Sequence, residues 1–220
     1  PILKHHPNGN LLIKNLHDVG KKKVEHVQVT IEPDLVYPLL RGRDMQRWKT
    51  EPSVHIILAQ SPQARTGIPE TDMKREYPKT YAYFRLFEKQ LRQRASSSVR
   101  RLMETGAFYS MFGVGSYTMS PWKVVFKELA TFFQAAVLNA DEEGNIILPD
   151  TKVRFIPCDS ATEGFYLCAL LNATPAVLVL YVTAQWVQTP DYQASDIQKL
   201  LLPKFNPNDT LHLRIANLSE

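Results

Sequence analysis

The feature that most constrains this chain is a stretch without charge. Residues 164–187 carry no charged residue over twenty-four consecutive positions, a run long enough to raise a membrane-spanning helix. Asn172-Ala-Thr-Pro175 interrupts it near the middle, and Thr183 and Gln185 follow. Proline breaks a helix interior but is favoured in a first helical turn. The run therefore reads as two buried helices, residues 162–171 and 175–185, joined at the proline, and the membrane reading is rejected.

Two such helices need a core, and 220 residues supply one for a single large domain or two small ones. Fifteen prolines against nine glycines suggest stiff, irregular connections. Cys158 and Cys168 are the only cysteines and sit among apolar neighbours. That excludes a disulfide framework and points to a reducing, cytoplasmic setting. The opening PILKHHPNGN has no initiator Met, no apolar export segment and no cleavage site, and reads as cut from something longer.

Along the chain, Asn8-Gly9 and residues 15–20 mark turns around a short strand, Leu11–Lys14. Alternating apolar residues predict strands over 24–31 and 53–60. Residues 78–94 change to a helical period, with Tyr81, Phe84, Phe87 and Leu91 on one face and Arg85, Lys89 and Arg92 on another. Ser96-Ser97-Ser98 ends that pattern. Residues 123–126 and 131–138 read as core strands, 146–148 and 153–156 as a hairpin pair around Pro149-Asp150, and 200–205 as an edge strand. The expected class is α+β, with mixed, largely antiparallel sheets and segregated helices, in a single domain spanning 1–220.

Net charge is only +4, but residues 1–105 hold 19 Lys and Arg against 11 Asp and Glu, whereas 106–220 hold 7 against 11. Such asymmetry marks either a polyanion-facing surface or an unevenly solvated one. Catalytic motifs fail one by one. Gly113-Val114-Gly115 follows no clear strand and has no ribose-holding acid downstream. Asn206-Pro207-Asn208-Asp209 lacks the aromatic of a base-stacking N-P-P-Y loop. Asp34 with Asp72 and Lys74 imitates a PD-(D/E)xK nuclease, but its spacing is long. His5, His6, His17 and His26 have no partner at ligand spacing. No catalytic or metal-ligating residue is therefore assigned.

Basic residues interleaved with aromatics are the stronger signal. Residues 37–48 read YPLLRGRDMQRW: an apolar anchor, then Arg41, Arg43, Arg47 and Trp48. Arg85, Lys89 and Arg92 make a helical stripe, and Tyr117 and Lys123 flank the glycine turn. Arginine offers a planar fork for phosphate and guanine edges, and lysine a point charge. Those eight basic and tyrosine positions are the candidate DNA contacts. Within them, Arg43 is the position most open to loss, since Asp44 or another buried acid could claim its guanidinium and leave Arg41 alone to face the phosphate.

The same segments, in order, resemble a known family. YPLLRGRDMQRW is similar to a P-L-L-K/R-G-R-D segment, YFRLFEKQLRQR to a Y-F-x-x-F helix, and FYSMFGVGSYTMSPWKVVF to an aromatic glycine turn before a K-V-V strand. FIPCDSATEGFYLCALLNA resembles a C-D-x-x-x-E-x-x-Y-x-x-A-L-L-N helix, and LLPKFNPND a closing I-P-x-F-x-P segment. Together they resemble the TaqI-like C-terminal target-recognition domain of adenine-specific DNA methyltransferases in type II restriction–modification systems. Gly164 departs from the small helix former usual there. The resemblance implies a non-catalytic domain that binds double-stranded DNA beside an N-terminal methyltransferase domain of the same polypeptide. It also implies S-adenosylmethionine as cofactor of the parent enzyme and none in this fragment. The competing readings are a nuclease on Asp34, Asp72 and Lys74, and a protein-interaction module.

Overall fold

The computed structural model describes residues 1–19, 23–61, 63–64 and 66–220; Gly20, the end of one expected turn, lies outside them. The chain forms two compact units, Pro1–Tyr37 with His55–Thr118, and Pro38–Val54 with Met119–Glu220. Each has its own buried apolar cluster. Among the described residues the class is α+β, with eight α-helices and several small sheets, most of them antiparallel.

In the first unit, β1 (Ile2–His5), β2 (Leu11–Lys14) and β3 (Gln28–Ile31) form an antiparallel meander. Leu11 faces Ile31 and Ile13 faces Val29 across the β2–β3 pair, so alternation buries one side. Gly9 turns the β1–β2 connection at a φ of 82°, a left-handed value suited to glycine. Only the second half of the strand expected over 24–31 pairs. β4 (Val36–Leu40), β5 (Met45–Gln46), β6 (Lys49–Thr50) and β7 (Val54–Ile57) follow, and the division between units falls inside β4 and β7.

Helices α1 (Glu70–Glu76), α2 (Pro78–Leu86), α3 (Glu88–Arg92) and α4 (Ser97–Thr105) complete this unit. Pro78 opens α2 where its missing N–H is no loss. Glu32, next to β3, caps the same helix: its carboxylate accepts from Lys79 N at 3.1 Å, Thr80 N at 2.8 Å and Thr80 Oγ1 at 2.7 Å. Burial opposes ionisation there, yet the bonds from Thr80 and Lys79 hold the carboxyl below its ordinary value. The single helix expected over 78–94 is broken at Phe87, whose N–H reaches Phe84 O at 3.0 Å, a tightened turn. Phe87 leaves the Tyr81–Phe84–Leu91 face and lies against Tyr83, ring centroids 5.3 Å apart. Phe84 instead stacks on Tyr109 at 5.1 Å, and the Tyr109 hydroxyl donates to Ile68 O at 2.6 Å.

The second unit is built on β8 (Trp122–Lys127), antiparallel to both β9 (Ala135–Leu138) and β11 (Val153–Cys158). β10 (Leu148–Pro149) does not join β11 in the expected hairpin. It pairs in parallel with β4, Leu148 opposite Leu39, and Asp150 N extends the contact to Leu40 O at 2.8 Å. After β11 come α5 (Ala161–Asn172) and α6 (Thr174–Thr183), close to the two expected helices. The small hairpin β12 (Gln185–Trp186) and β13 (Pro190–Asp191) follows, then α7 (Ala194–Lys199) and α8 (Thr210–Asn217). Residues 201–206 are irregular rather than an edge strand, and Leu201 sits at a φ of 48°, which no strand accommodates.

Helix α5 is fastened at both ends. Ser160 Oγ accepts from Glu163 N at 3.1 Å while Glu163 Oε2 accepts from Asp159 N at 2.7 Å. At the other end the buried Asn172 carboxamide closes on the backbone of one residue: its Oδ1 accepts from Ala135 N at 3.0 Å and its Nδ2 donates to Ala135 O at 2.9 Å. The following helix differs from expectation. α6 buries Ala176 and Leu180 but leaves Leu178 and Val182 exposed, because its sequence is apolar on every face and only one face packs. α5 and α6 bend by 66° at their junction, and among the described residues no single helix is long and apolar enough to cross a membrane.

Two stability outcomes follow from α5. Asn172→Ala strands the buried Ala135 N–H, while Ala135 O keeps the bond from Trp48 N, and should cost about 1–3 kcal/mol in urea denaturation. Gly164→Ala should stabilise by about 0.5–1 kcal/mol, since an added Cβ meets Val137 Cγ1 at 3.5 Å, an ordinary contact. A lower melting temperature for Gly164→Ala would refute that reading.

Candidate nucleic-acid interface

The segment YPLLRGRDMQRW runs from core to surface. Pro38 and Leu40 are buried, a 3₁₀ turn covers Gly42–Asp44, and β5 then pairs with β6, Met45 opposite Thr50 and Gln46 opposite Lys49. Arg47 and Trp48 are the two turn residues of this hairpin. Met45 belongs to the second unit's core and anchors the hairpin from below.

Asp44 organises the base. Its Oδ1 accepts from Ser53 Oγ at 2.8 Å, and its Oδ2 accepts from Arg41 N at 3.1 Å and lies 3.5 Å from Arg41 Nε. Arg41 also donates from a terminal guanidinium nitrogen to Ser53 Oγ at 2.8 Å. Burial would raise the Asp44 carboxyl, whose side chain is 7% exposed, but the Ser53 and Arg41 bonds hold it below its ordinary value. The arginine at risk is therefore the other one: Asp44 claims Arg41, and Arg43 is left exposed. The ion pairs of this region are Arg41–Asp44 and Lys49–Glu51, so Arg43 and Arg47 make none among the described residues.

The other candidates separate clearly. Lys123 is buried, at 1% exposure, where β8 passes through the core. Its Nζ donates to Ser120 O and, at 3.3 Å, to Ile147 O, and burial pushes its pKa down to about 8. This lysine lies inside the fold instead of on a DNA-facing surface. An apolar strand gave no sign of it, because a long lysine stem packs like an aliphatic chain. In the first unit, Arg85 and Arg92 both turn onto Glu88, Arg92 at 2.7 Å, while Lys89 is exposed beside them. Arg92 also lies over the Phe108 ring, 5.3 Å from its centroid.

Tyr117 folds back on the glycine turn, its hydroxyl donating to Gly113 O at 2.7 Å. A Cβ at Gly115 would lie 2.6 Å from the Tyr117 ring, so this glycine serves a close approach. The Gly115 N–H donates to Thr118 Oγ1 at 3.1 Å, so it is occupied within the turn.

The rejected catalytic motifs have structural employment. Asp72 lies on α1, 2.9 Å from Arg75, and Lys74 sits over the Tyr81 ring at 5.1 Å. Asp209 caps α8, accepting from Leu211 N at 2.8 Å and His212 N at 3.4 Å. Among the described residues no group of three His, Cys, Asp or Glu is arranged to hold a metal ion. What the sequence concealed is the hairpin itself. Neither Arg47 nor Trp48 is a turn-forming residue, and two-residue strands are too short to show alternation.

No protein-family model matches the chain. Over 148 residues, 67% of its length, it is 30% identical to Type II methyltransferase M.NspV of Nostoc sp. (strain ATCC 29411 / PCC 7524). The chain is thus distantly related to a type II methyltransferase, and the match spans 29% of that protein's length.

The buried ionisable groups give two pH-dependent outcomes. Asp44 has a folded pKa below its ordinary 3.8, so its contribution is complete above that value and is lost as pH falls through the folded pKa. Asp44→Ala should cost about 1–3 kcal/mol at neutral pH and nothing in strong acid. Lys123 gives a slope of the same sign in an alkaline window, because its folded pKa is also lowered. Between about 8 and 10.5 the unfolded chain binds more protons, so stability should rise with pH relative to Lys123→Met. Urea denaturation across those ranges measures both, and a pH-independent difference would count against either assignment.

Proposed function

We propose that residues 1–220 make one DNA target-recognition domain, built of two compact units, within a longer adenine-specific DNA methyltransferase of a type II restriction–modification system. The observation that carries this reading is the β5–β6 hairpin. It is clamped at its base by Met45 and the Arg41–Asp44–Ser53 network, and it presents Arg43 and Arg47 to solvent without carboxylate partners among the described residues. The distant relationship to a type II methyltransferase supports it. Arg43 and Arg47 hold phosphates or guanine edges of duplex DNA, and exposed Lys89, with the partly paired Arg85 and Arg92, adds backbone contacts. Arg41 serves by positioning, since its guanidinium is spent on Asp44 and Ser53.

Methyl transfer belongs to a catalytic domain on the same polypeptide, N-terminal to this one, which binds S-adenosylmethionine and receives the flipped adenine in the cytoplasm. This chain orients the duplex for it. No residue here is assigned a catalytic step.

The test is duplex DNA binding by fluorescence anisotropy over a salt series. Affinity should fall steeply with salt, and Arg43→Ala and Arg47→Ala should each reduce the log–log slope by about one unit with melting temperature unchanged. Absence of binding at low salt, or affinity constant up to about 0.2 M salt, would overturn the proposal. Tight S-adenosylmethionine binding by this chain in calorimetry would overturn the division of labour.

A further inference from the structure

The turn of the β5–β6 hairpin carries a side chain that the fold does not require. Trp48 holds a φ of 70°, the left-handed region that glycine enters without penalty and a bulky residue does not. A positive φ at the second turn position alone is the demand of a type II turn, normally met by Gly or Asn. The backbone has a reason to be there: Trp48 N donates to Ala135 O at 3.2 Å. Glycine would make that bond equally well, so the bond explains the conformation and not the indole.

Nor does packing explain it. Trp48 is 48% exposed, belongs to none of the buried clusters, and among the described residues its ring stacks on no other ring. Its surroundings have a definite chemistry. Arg43 and Arg47 are exposed, and Lys49 follows directly. A rigid projection that combines a flat aromatic with arginines matches the two parts of a nucleic acid, its base faces and its phosphates. An outlier held at a site of matching chemistry is a pointer to function.

We propose that Trp48 is a specificity-determining contact, its indole wedged against a base step of the duplex while Arg43 and Arg47 hold the neighbouring phosphates. Apolar wedges of this kind favour steps that unstack easily, and stacking itself needs no hydrogen-bond match. The proposal rests on the reading of this chain as a DNA-recognition domain. It separates two roles within one turn: arginine supplies the salt-dependent part of affinity, and tryptophan a part that salt does not screen.

The experiment compares the wild-type chain with Trp48→Gly, Trp48→Ala and Trp48→Phe. The probe is a fluorescein-labelled duplex oligonucleotide pool, read by anisotropy across a salt series, with melting temperature measured alongside. Trp48→Gly and Trp48→Ala should weaken binding about tenfold or more with an unchanged salt slope, and Trp48→Phe should retain most of the affinity. Trp48→Gly should melt no lower than wild type, because it relieves the backbone. If wild type binds with a steep salt slope and Trp48→Gly binds equally well, the tryptophan contact is wrong and the DNA-recognition reading stands. If both Trp48→Gly and Trp48→Ala lose affinity together with melting temperature, Trp48 is a structural pin and the proposal fails. If wild type itself does not bind at low salt, the DNA-recognition reading fails and takes this proposal with it.

Discussion

The backbone of one residue, Ala135, ties the second unit together. Its N–H and C=O are both taken by the Asn172 carboxamide at the end of α5, and the same carbonyl accepts from Trp48 N in the hairpin turn. Ala135 is fully buried and begins β9, which pairs with β8. Strand, helix and hairpin are therefore referred to one point where water cannot substitute for a missing partner. The geometry of the exposed turn is set from inside the core. A surface loop carrying the same residues would lack that reference, and its arginines would lose more freedom on binding.

The rest of α5 extends the same arrangement. Tyr166, buried on this helix, brings its hydroxyl to 3.2 Å from His212 Nε2 and 3.3 Å from Pro203 O, so α8 and the irregular segment before it are held against α5. Cys158 and Cys168 are both buried, and burial raises both thiols to about 12, which leaves them protonated and unreactive. They act as small apolar residues in this core.

Basic residues a few positions apart do opposite work. Arg41 and Lys123 are turned inward, one onto Asp44 and Ser53, the other onto the carbonyls of Ser120 and Ile147. Arg43 and Arg47 remain outside. Charge counting by chain half misses this and misplaces the hairpin, because residues 38–54 lie in the basic half of the sequence but belong to the unit made mostly of the acidic half. Ion pairing decides how much of a formal charge faces a ligand, and pairing is a property of contacts.

What the sequence determined by itself was much of what near neighbours govern, though not the break at Phe87. The charge-free run broken at Pro175 placed α5 and α6, the apolar stretch around Val124 placed β8, and Tyr37 to Leu40 announced an anchor before a basic turn. Helical and strand periods act over a few residues, so a linear reading captures them. Tertiary structure alone decided that β10 pairs with β4, more than a hundred residues away, that Asp44 takes Arg41 and leaves Arg43, and that Trp48 turns a hairpin without glycine. It also left one face of α6 in solvent, which an all-apolar helix cannot signal. Each of these depends on which distant group arrives to complete a hydrogen bond or cover a surface. That arrival is fixed only when the whole core closes.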